Sequence, residues 1–244
     1  MKSEILKNFD GQCCSIDDIV RFVECFDESK SRKTIIWNVN DLVKQGKIIR
    51  IGRGLYEFKT KPKLQPSMGE SAQSVCSLLS DNFKYLDVTI TDSDVLGQFM
   101  NLQPFATVVV VEIRKSANKA VLSALRNSGV DAYAKRDFSQ LEQYISSSQP
   151  VVIRPELSAN PSLPKASNIR IANIEKILVD LVCDEDIYGQ YQGEELYNIY
   201  QNATSDYVVN YSQIMKYAAA RKKKAEVLEI LQNTSEFKKV GHLV

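Results

Sequence analysis

Residues 31–58 read SRKTIIWNVNDLVKQGKIIRIGRGLYEF. Ser31 suits an N-cap, because its side-chain oxygen can accept from a first-turn amide. Ile35, Val39, Leu42 and Val43 follow at i, i+4, i+7 and i+8, the spacing of a helix with one buried face. Gly46 supplies the left-handed stop expected just past a helix end. Lys47 to Ile51 is strand-like, Gly52-Arg53-Gly54 makes a turn, and Leu55 to Phe58 makes a return strand. A helix leading directly into a short hairpin is the core of a winged helix-turn-helix, a fold that commonly reads DNA.

Upstream, Lys2 to Phe9 forms a short helix with Ile5, Leu6 and Phe9 on one side, broken at Asp10-Gly11. Cys13 and Cys14 read as small, semi-buried residues before a helix. Ser15-Ile-Asp-Asp18 resembles a capping box and opens a second helix through Phe26, with Ile16, Ile19, Val20 and Val23 inward. The order helix, helix, helix, hairpin is that of a winged helix.

The charges agree. From Lys30 to Lys63 ten Lys or Arg stand against two acids, a local net charge of +8 in a chain of net charge +1. A cationic segment inside a near-neutral protein points to one localised face for a polyanion. Ser31, Arg32, Lys33, Thr34 and Asn38 near the start of the third helix would meet the major groove, where Arg reads guanine and Asn reads adenine. Lys47, Arg50 and Arg53 on the hairpin would touch the backbone or minor groove. Trp37 either anchors the helix or joins the readout. The alternative is a solvated, Lys-rich surface of a protein-interaction module.

Pro62 and Pro66 among polar residues mark a linker, predicting two domains, 1–63 and 67–244. In the second, helices over Glu70 to Leu79, Asp92 to Met100, Ser116 to Asn127 and Phe138 to Ile145 alternate with strands. Those strands cover Tyr85 to Thr91, Phe105 to Ile113, Asp131 to Ala134 and Val151 to Ile153. The alternation argues for a small α/β layer. A polar loop from Ser158 to Asn168 carries Pro161 and Pro164. Beyond it the pattern is all-helical, with one apolar stripe at Ile174, Ile177, Leu178, Leu181 and Val182, then helices over Tyr188 to Gln201 and Tyr211 to Leu231. The expected class is α+β or α/β: an N-terminal winged helix-turn-helix, a small α/β layer and a helical C-terminal segment. Residues 175–206 carry eight acids and one lysine, and residues 207–244 carry seven basic and three acidic residues.

With 244 residues, 44% hydrophobic and 25% charged, the chain has globular composition. No apolar run approaches the roughly 20 residues that span a bilayer, and Met1-Lys-Ser-Glu-Ile puts a carboxylate where a signal peptide would be apolar. A cytoplasmic protein without membrane attachment is expected. Five cysteines without CxxC spacing and a single histidine, His242, support neither a metal site nor His-based catalysis. No cofactor is expected, because no phosphate-binding glycine loop is present.

Three groups offer other chemistry. Asp87 or Asp92 with Glu112-Ile-Arg114 could hold a divalent cation in the manner of a metal-dependent nuclease. Asp184-Glu-Asp186 with Glu194-Glu195 could bind metal or a basic partner, and Arg221-Lys-Lys-Lys224 an acidic one. Each also reads as solvated surface. Tyr188, Tyr191, Tyr197, Tyr200, Tyr207, Tyr211 and Tyr217 read mostly as core.

Several segments resemble a known family. These are Leu42-Val-Lys-Gln-Gly-Lys-Ile-Ile-Arg50 with Arg53-Gly-Leu-Tyr56, and Phe99-Met-Asn-Leu-Gln-Pro-Phe105 with Val109-Val-Val-Glu112. Further on come Val152-Ile-Arg-Pro155, Ile174-Glu-Lys-Ile-Leu-Val-Asp-Leu181 and Tyr191-Gln-Gly-Glu-Glu-Leu196. In that order they are similar to the antitoxin and transcriptional-regulator half of bacterial AbiE-type, type IV toxin–antitoxin systems. The resemblance implies a non-enzymatic repressor of its own promoter. Its implied partner is a nucleotidyltransferase-like toxin, neutralised without need of a stable complex.

Overall fold

A computed structural model of the chain describes residues 1–58, 61–102, 104, 106–141, 149–157, 161 and 168–240. Lys59, the expected helix beyond residue 141, most of the polar loop with Pro164, and His242 lie outside the described residues.

The N-terminal unit runs α1 (Lys2–Asn8), β1 (Cys13–Ser15), α2 (Ile16–Phe26), α3 (Arg32–Lys44), β2 (Ile49–Gly52) and β3 (Leu55–Glu57). The local signals act as the sequence implies. The Ser15 hydroxyl accepts from the Asp18 amide at 3.1 Å and the Asp18 carboxylate accepts from the Ser15 amide at 3.0 Å, completing a capping box on α2. Ser31 caps α3 by accepting from the Thr34 amide. Gly46, at φ +69°, ends α3: its amide donates to the Val43 carbonyl and that of Lys47 to the Leu42 carbonyl, a Schellman closure.

Two strands were not expected, Cys13–Ser15 here and Ile169–Ile171 in the second unit, where the pattern beyond the polar loop read as all-helical. Cys13 and Cys14 do not merely precede a helix: β1 pairs antiparallel with β3, Cys14 opposite Tyr56. The sheet order is β1-β3-β2, all antiparallel, with β2 at one edge and an irregularity between Arg50 and Gly52. Burial pushes the Cys14 thiol up to about 12, so it packs as an inert small hydrophobe.

The second unit runs α4 (Glu70–Asn82), β4 (Val88–Asp92), a 3-10 helix (Ser93–Phe99), β5 (Val109–Ile113), α5 (Asn118–Asn127), β6 (Ala132–Ala134), α6 (Lys135–Leu141), β7 (Val151–Pro155) and β8 (Ile169–Ile171). It ends in α7 (Ile174–Cys183), α8 (Glu194–Asp206), α9 (Tyr211–Ala220), α10 (Lys224–Asn233) and α11 (Ser235–Val240). The mixed sheet has the order β6-β7-β5-β4-β8, in which only the β4–β5 pairing is antiparallel. Both faces are covered, which is why β5 and β7 read as near-continuous apolar runs. Val109, Val111, Ile113, Val151 and Ile153 pack towards α4 and α5, while Val110 and Val152 pack towards α7 to α11. The protein is thus α+β.

The expected helix from Tyr211 to Leu231 is broken. Lys222 sits at φ +59° between α9 and α10, and α8 begins only after Gly193 at φ +68°. Tyr188, Tyr191, Tyr200, Tyr211 and Tyr217 are buried, as their helical spacing implies, whereas Tyr197 is exposed. Among the described residues no helix is long and apolar enough to cross a membrane.

The proline-bearing linker is not a free tether. The Lys61 ammonium pairs with Glu57 at 3.3 Å and Glu236 at 2.8 Å, the Pro62 carbonyl accepts from the Val208 amide, and Leu64 is buried. The small sheet has two covered faces. Tyr56 and Phe58 face α1 to α3, while Ile51 and Leu55 join the core of the C-terminal helices. At the hairpin, a Cβ on Gly52 would come 3.1 Å from the Ser212 hydroxyl, which accepts from the Arg53 amide. The two units therefore share a core. Leu55→Ala should cost about 2–4 kcal/mol, read as a lowered denaturant midpoint in a single transition. Two separate transitions in the unsubstituted chain would contradict a shared core.

Candidate nucleic-acid interface

The exposed side of α3 is built by the same periodicity that buries Ile35, Val39 and Leu42. Ser31, Arg32, Lys33, Thr34 and Lys44 are exposed. Trp37 is 65% exposed, with the Lys2 ammonium 5.5 Å from its ring centre. It does not anchor the helix. Lys2 also pairs with Asp41 and, by that hydrogen bond first, holds the Asp41 carboxyl below its ordinary value. Arg32 reaches across to Asp17 of α2 at 2.5 Å, both groups about half exposed.

Asn38 departs from expectation. It lies three residues beyond Ile35, on the packed face, and is only 8% exposed. Its amide donates to the Thr34 carbonyl at 2.7 Å, so it is not available to a base. The hairpin cations are outward: Lys47, Arg50 and Arg53 are exposed, with Arg50 Nε donating to the Gly52 carbonyl at 3.1 Å. A shallow depression brings Lys2 and Lys7 of α1 beside Lys47. These two lysines precede the cationic segment in sequence, and only the packing of α1 adds them to the same side.

The other candidate groups separate. Asp87 is exposed just before β4, while Glu112 is wholly buried opposite Thr89. Glu112 accepts from Lys176 Nζ at 2.8 Å and Arg154 Nε at 2.7 Å, so two cations already satisfy the carboxylate that a nuclease would need free for metal. Asp92 accepts from the Gly69 and Asp94 amides, and burial raises its carboxyl. Among the described residues no cluster of His, Cys, Asp or Glu is arranged to hold a metal ion. The acidic group is divided: Asp184 is buried, Glu195 accepts from the Asn101 amide, and Glu185 and Glu194 stay exposed. Arg221 leaves the basic run to enter the core.

There it joins a network that sequence reading missed. Arg154 of β7 bonds Glu112 of β5, its in-register neighbour, together with Asp180 at 2.8 Å and Asp184. Lys176, fully buried, bridges Glu112 and Asp180. Arg221 contacts Asp180 at 2.5 Å and Asp184 at 2.9 Å, Tyr217 donates to Asp180, and Lys135 reaches Asp184 at 2.5 Å. Burial pushes both aspartates up, but Lys176 and Arg154 at Asp180, and Arg154 and Arg221 at Asp184, outweigh it, so both carboxyls lie below their ordinary value. The sequence signal was weak: only Glu112 and Arg154, each at an even position in a strand of buried residues, hinted at a buried pair.

A family model described as a family of unknown function, DUF6577, matches residues 34–236. The chain belongs to that family. The match runs from within α3 to α11 and so spans the whole hairpin and the whole charge network. No curated protein matches the chain. Among solved structures, the Rv2827c protein from Mycobacterium tuberculosis is similar at 10% identity and a TM-score of 0.26, over 96% of this chain and 80% of that one.

Lys176→Met should destabilise the fold by about 3–5 kcal/mol, because it strands buried carboxylates, measured by chemical denaturation. A cost near zero would show the network to be redundant. The depressed aspartates also set a pH dependence. Their stabilisation is complete above the ordinary value of 3.8 and is lost as pH falls through the lower folded values. Stability should therefore drop steeply below that pH, and Asp180→Asn should flatten the drop.

Proposed function

We propose that the N-terminal unit is a winged helix-turn-helix and that the protein is a DNA-binding transcriptional regulator without enzymatic activity. The observation that carries this is the set of cations that the N-terminal unit presents, of which all but the half-buried Lys2 are exposed. Arg32 and Lys33 stand at the start of α3, Lys47, Arg50 and Arg53 on the hairpin, and Lys2 and Lys7 on α1. The element order α1-β1-α2-α3-β2-β3 with sheet order β1-β3-β2 supports the winged-helix reading. With both sheet faces covered, the hairpin meets DNA through its tip and edge, so the hairpin contributes backbone contacts and α3 reads bases.

In this reading Arg32 contacts a base edge once it leaves Asp17, Thr34 and Ser31 flank it, and Trp37 supplies an apolar contact in the major groove. Asn38 takes no part. The resemblance to AbiE-type antitoxins suggests the target, double-stranded DNA at the protein's own promoter. It suggests also that the second unit serves a nucleotidyltransferase-like toxin partner.

Titration of upstream duplex at several salt concentrations tests the proposal. Each phosphate neutralised adds roughly 0.9 to the slope of log affinity against log salt, and a flat response would end the DNA reading. Arg53→Ala should weaken specific and random duplexes alike, while Arg32→Ala should cost about 1–3 kcal/mol and relax preference at one base pair. Asp17→Asn should strengthen binding, because it frees Arg32 and removes a charge that repels phosphate. Weaker binding by that variant would show that Asp17 positions Arg32 rather than competing for it.

A further inference from the structure

A groove of about 610 Å³ separates the edge of the N-terminal sheet from the helical layer. Such a volume is within the range of small-molecule sites, which favour boundaries between packed units. One wall is the end of α3 and strand β2; the other is formed at the starts of α7 and α9. Its apolar lining is aliphatic throughout: Val43, Ile48, Ile49, Leu64, Ile174 and Val208. An aliphatic body would be covered there, with no ring to stack on.

The polar lining has a sign. Arg50 and Lys63 both line the groove, both are exposed, and neither enters an ion pair among the described residues. Among the described residues Arg50 uses only Nε, on the Gly52 carbonyl, which leaves its terminal nitrogens as a fork suited to a carboxylate. The one acid, Glu175, is already engaged: its carboxylate accepts from the Asn210 amide at 2.9 Å. Burial raises the Glu175 carboxyl, against the Asn210 amide and the nearby Lys63, which lower it. The free Arg50 fork, with Lys63 beside the already engaged Glu175, favours an anionic head.

We propose that this groove binds a small aliphatic carboxylate, and that the bound ligand lowers the protein's affinity for DNA. The first half stands on the groove alone. The second rests on the DNA-binding reading: Arg50 is one of its hairpin contacts, and a guanidinium holding the ligand's carboxylate is lost to phosphate. The ligand touches both walls, so the coupling is reciprocal and DNA must weaken the ligand equally.

Calorimetry on the full chain with octanoate, octylamine and octanol separates the terms. Octanoate should bind saturably at one site, with octanol and octylamine weaker by about tenfold or more. The surface variant Arg50→Ala/Lys63→Ala, checked for a native unfolding midpoint, should lose octanoate by at least about tenfold. No saturable octanoate binding, octylamine binding as tightly, or an unchanged affinity in the double variant would overturn the site. Duplex titration with and without saturating octanoate then tests the coupling. A several-fold loss of DNA affinity supports it, and no change overturns it. Failure to bind DNA at all would remove the DNA reading and the coupling, while the calorimetry still decides the site.

Discussion

Arg154 and the carboxylates around it are the constraint on which the arrangement of this molecule depends. A guanidinium and an ammonium in a closed interior are tolerable only if every donor finds an acceptor, because an unpaired buried charge costs several kcal/mol. Glu112 of β5, Asp180 of α7 and Asp184 at the C-cap of α7 supply those acceptors. The sheet therefore cannot slide against α7, and the corner after α9 cannot swing away, since Arg221 and Tyr217 are tied to Asp180. Such a network adds less to net stability than to the uniqueness of the packing, because apolar residues of equal volume could fill the space but would not fix the register.

That restraint reaches the cationic face through α9. The end of α9 is held by the network and its start holds the hairpin, where Ser212 accepts from the Arg53 amide and Ile51 and Leu55 enter the same core. The hairpin arginines are thus presented by a clamped ribbon rather than a free one. In the proposed DNA-binding role, a clamped ribbon would lose less conformational entropy on meeting its target. The aliphatic groove lies along the β2 edge of that ribbon. The shared core thus sets the cationic hairpin beside the seam between the units.

Local chemistry was legible in the sequence and long-range chemistry was not. The Ser15 capping box, the Ser31 cap and the Gly46 stop each depend on residues within a few positions, and each formed where the pattern put it. The β5 run was recognisable because both faces of the sheet are covered. By contrast β1 is three residues long and exists only through pairing with β3, some forty positions away. Likewise the partners of Glu112 lie 42 and 64 positions along the chain, so its charge read as a strand end. Asn38 was misplaced by its chemistry: an amide suited to adenine drew attention from a helical phase that sets it beside Ile35. The contacts of the linker were not legible, because proline and polarity describe a segment's backbone, not whether Lys61 finds Glu236.

Hydrogen exchange of the full chain with and without upstream duplex DNA tests the central claim most directly. The account predicts protection confined to α1, the first turns of α3 and the hairpin from Lys47 to Gly54. Strands β5 and β7 and helix α7 should be unchanged, because the charge network already holds them. Protection centred on residues 175–240, or none in the N-terminal unit, would contradict it.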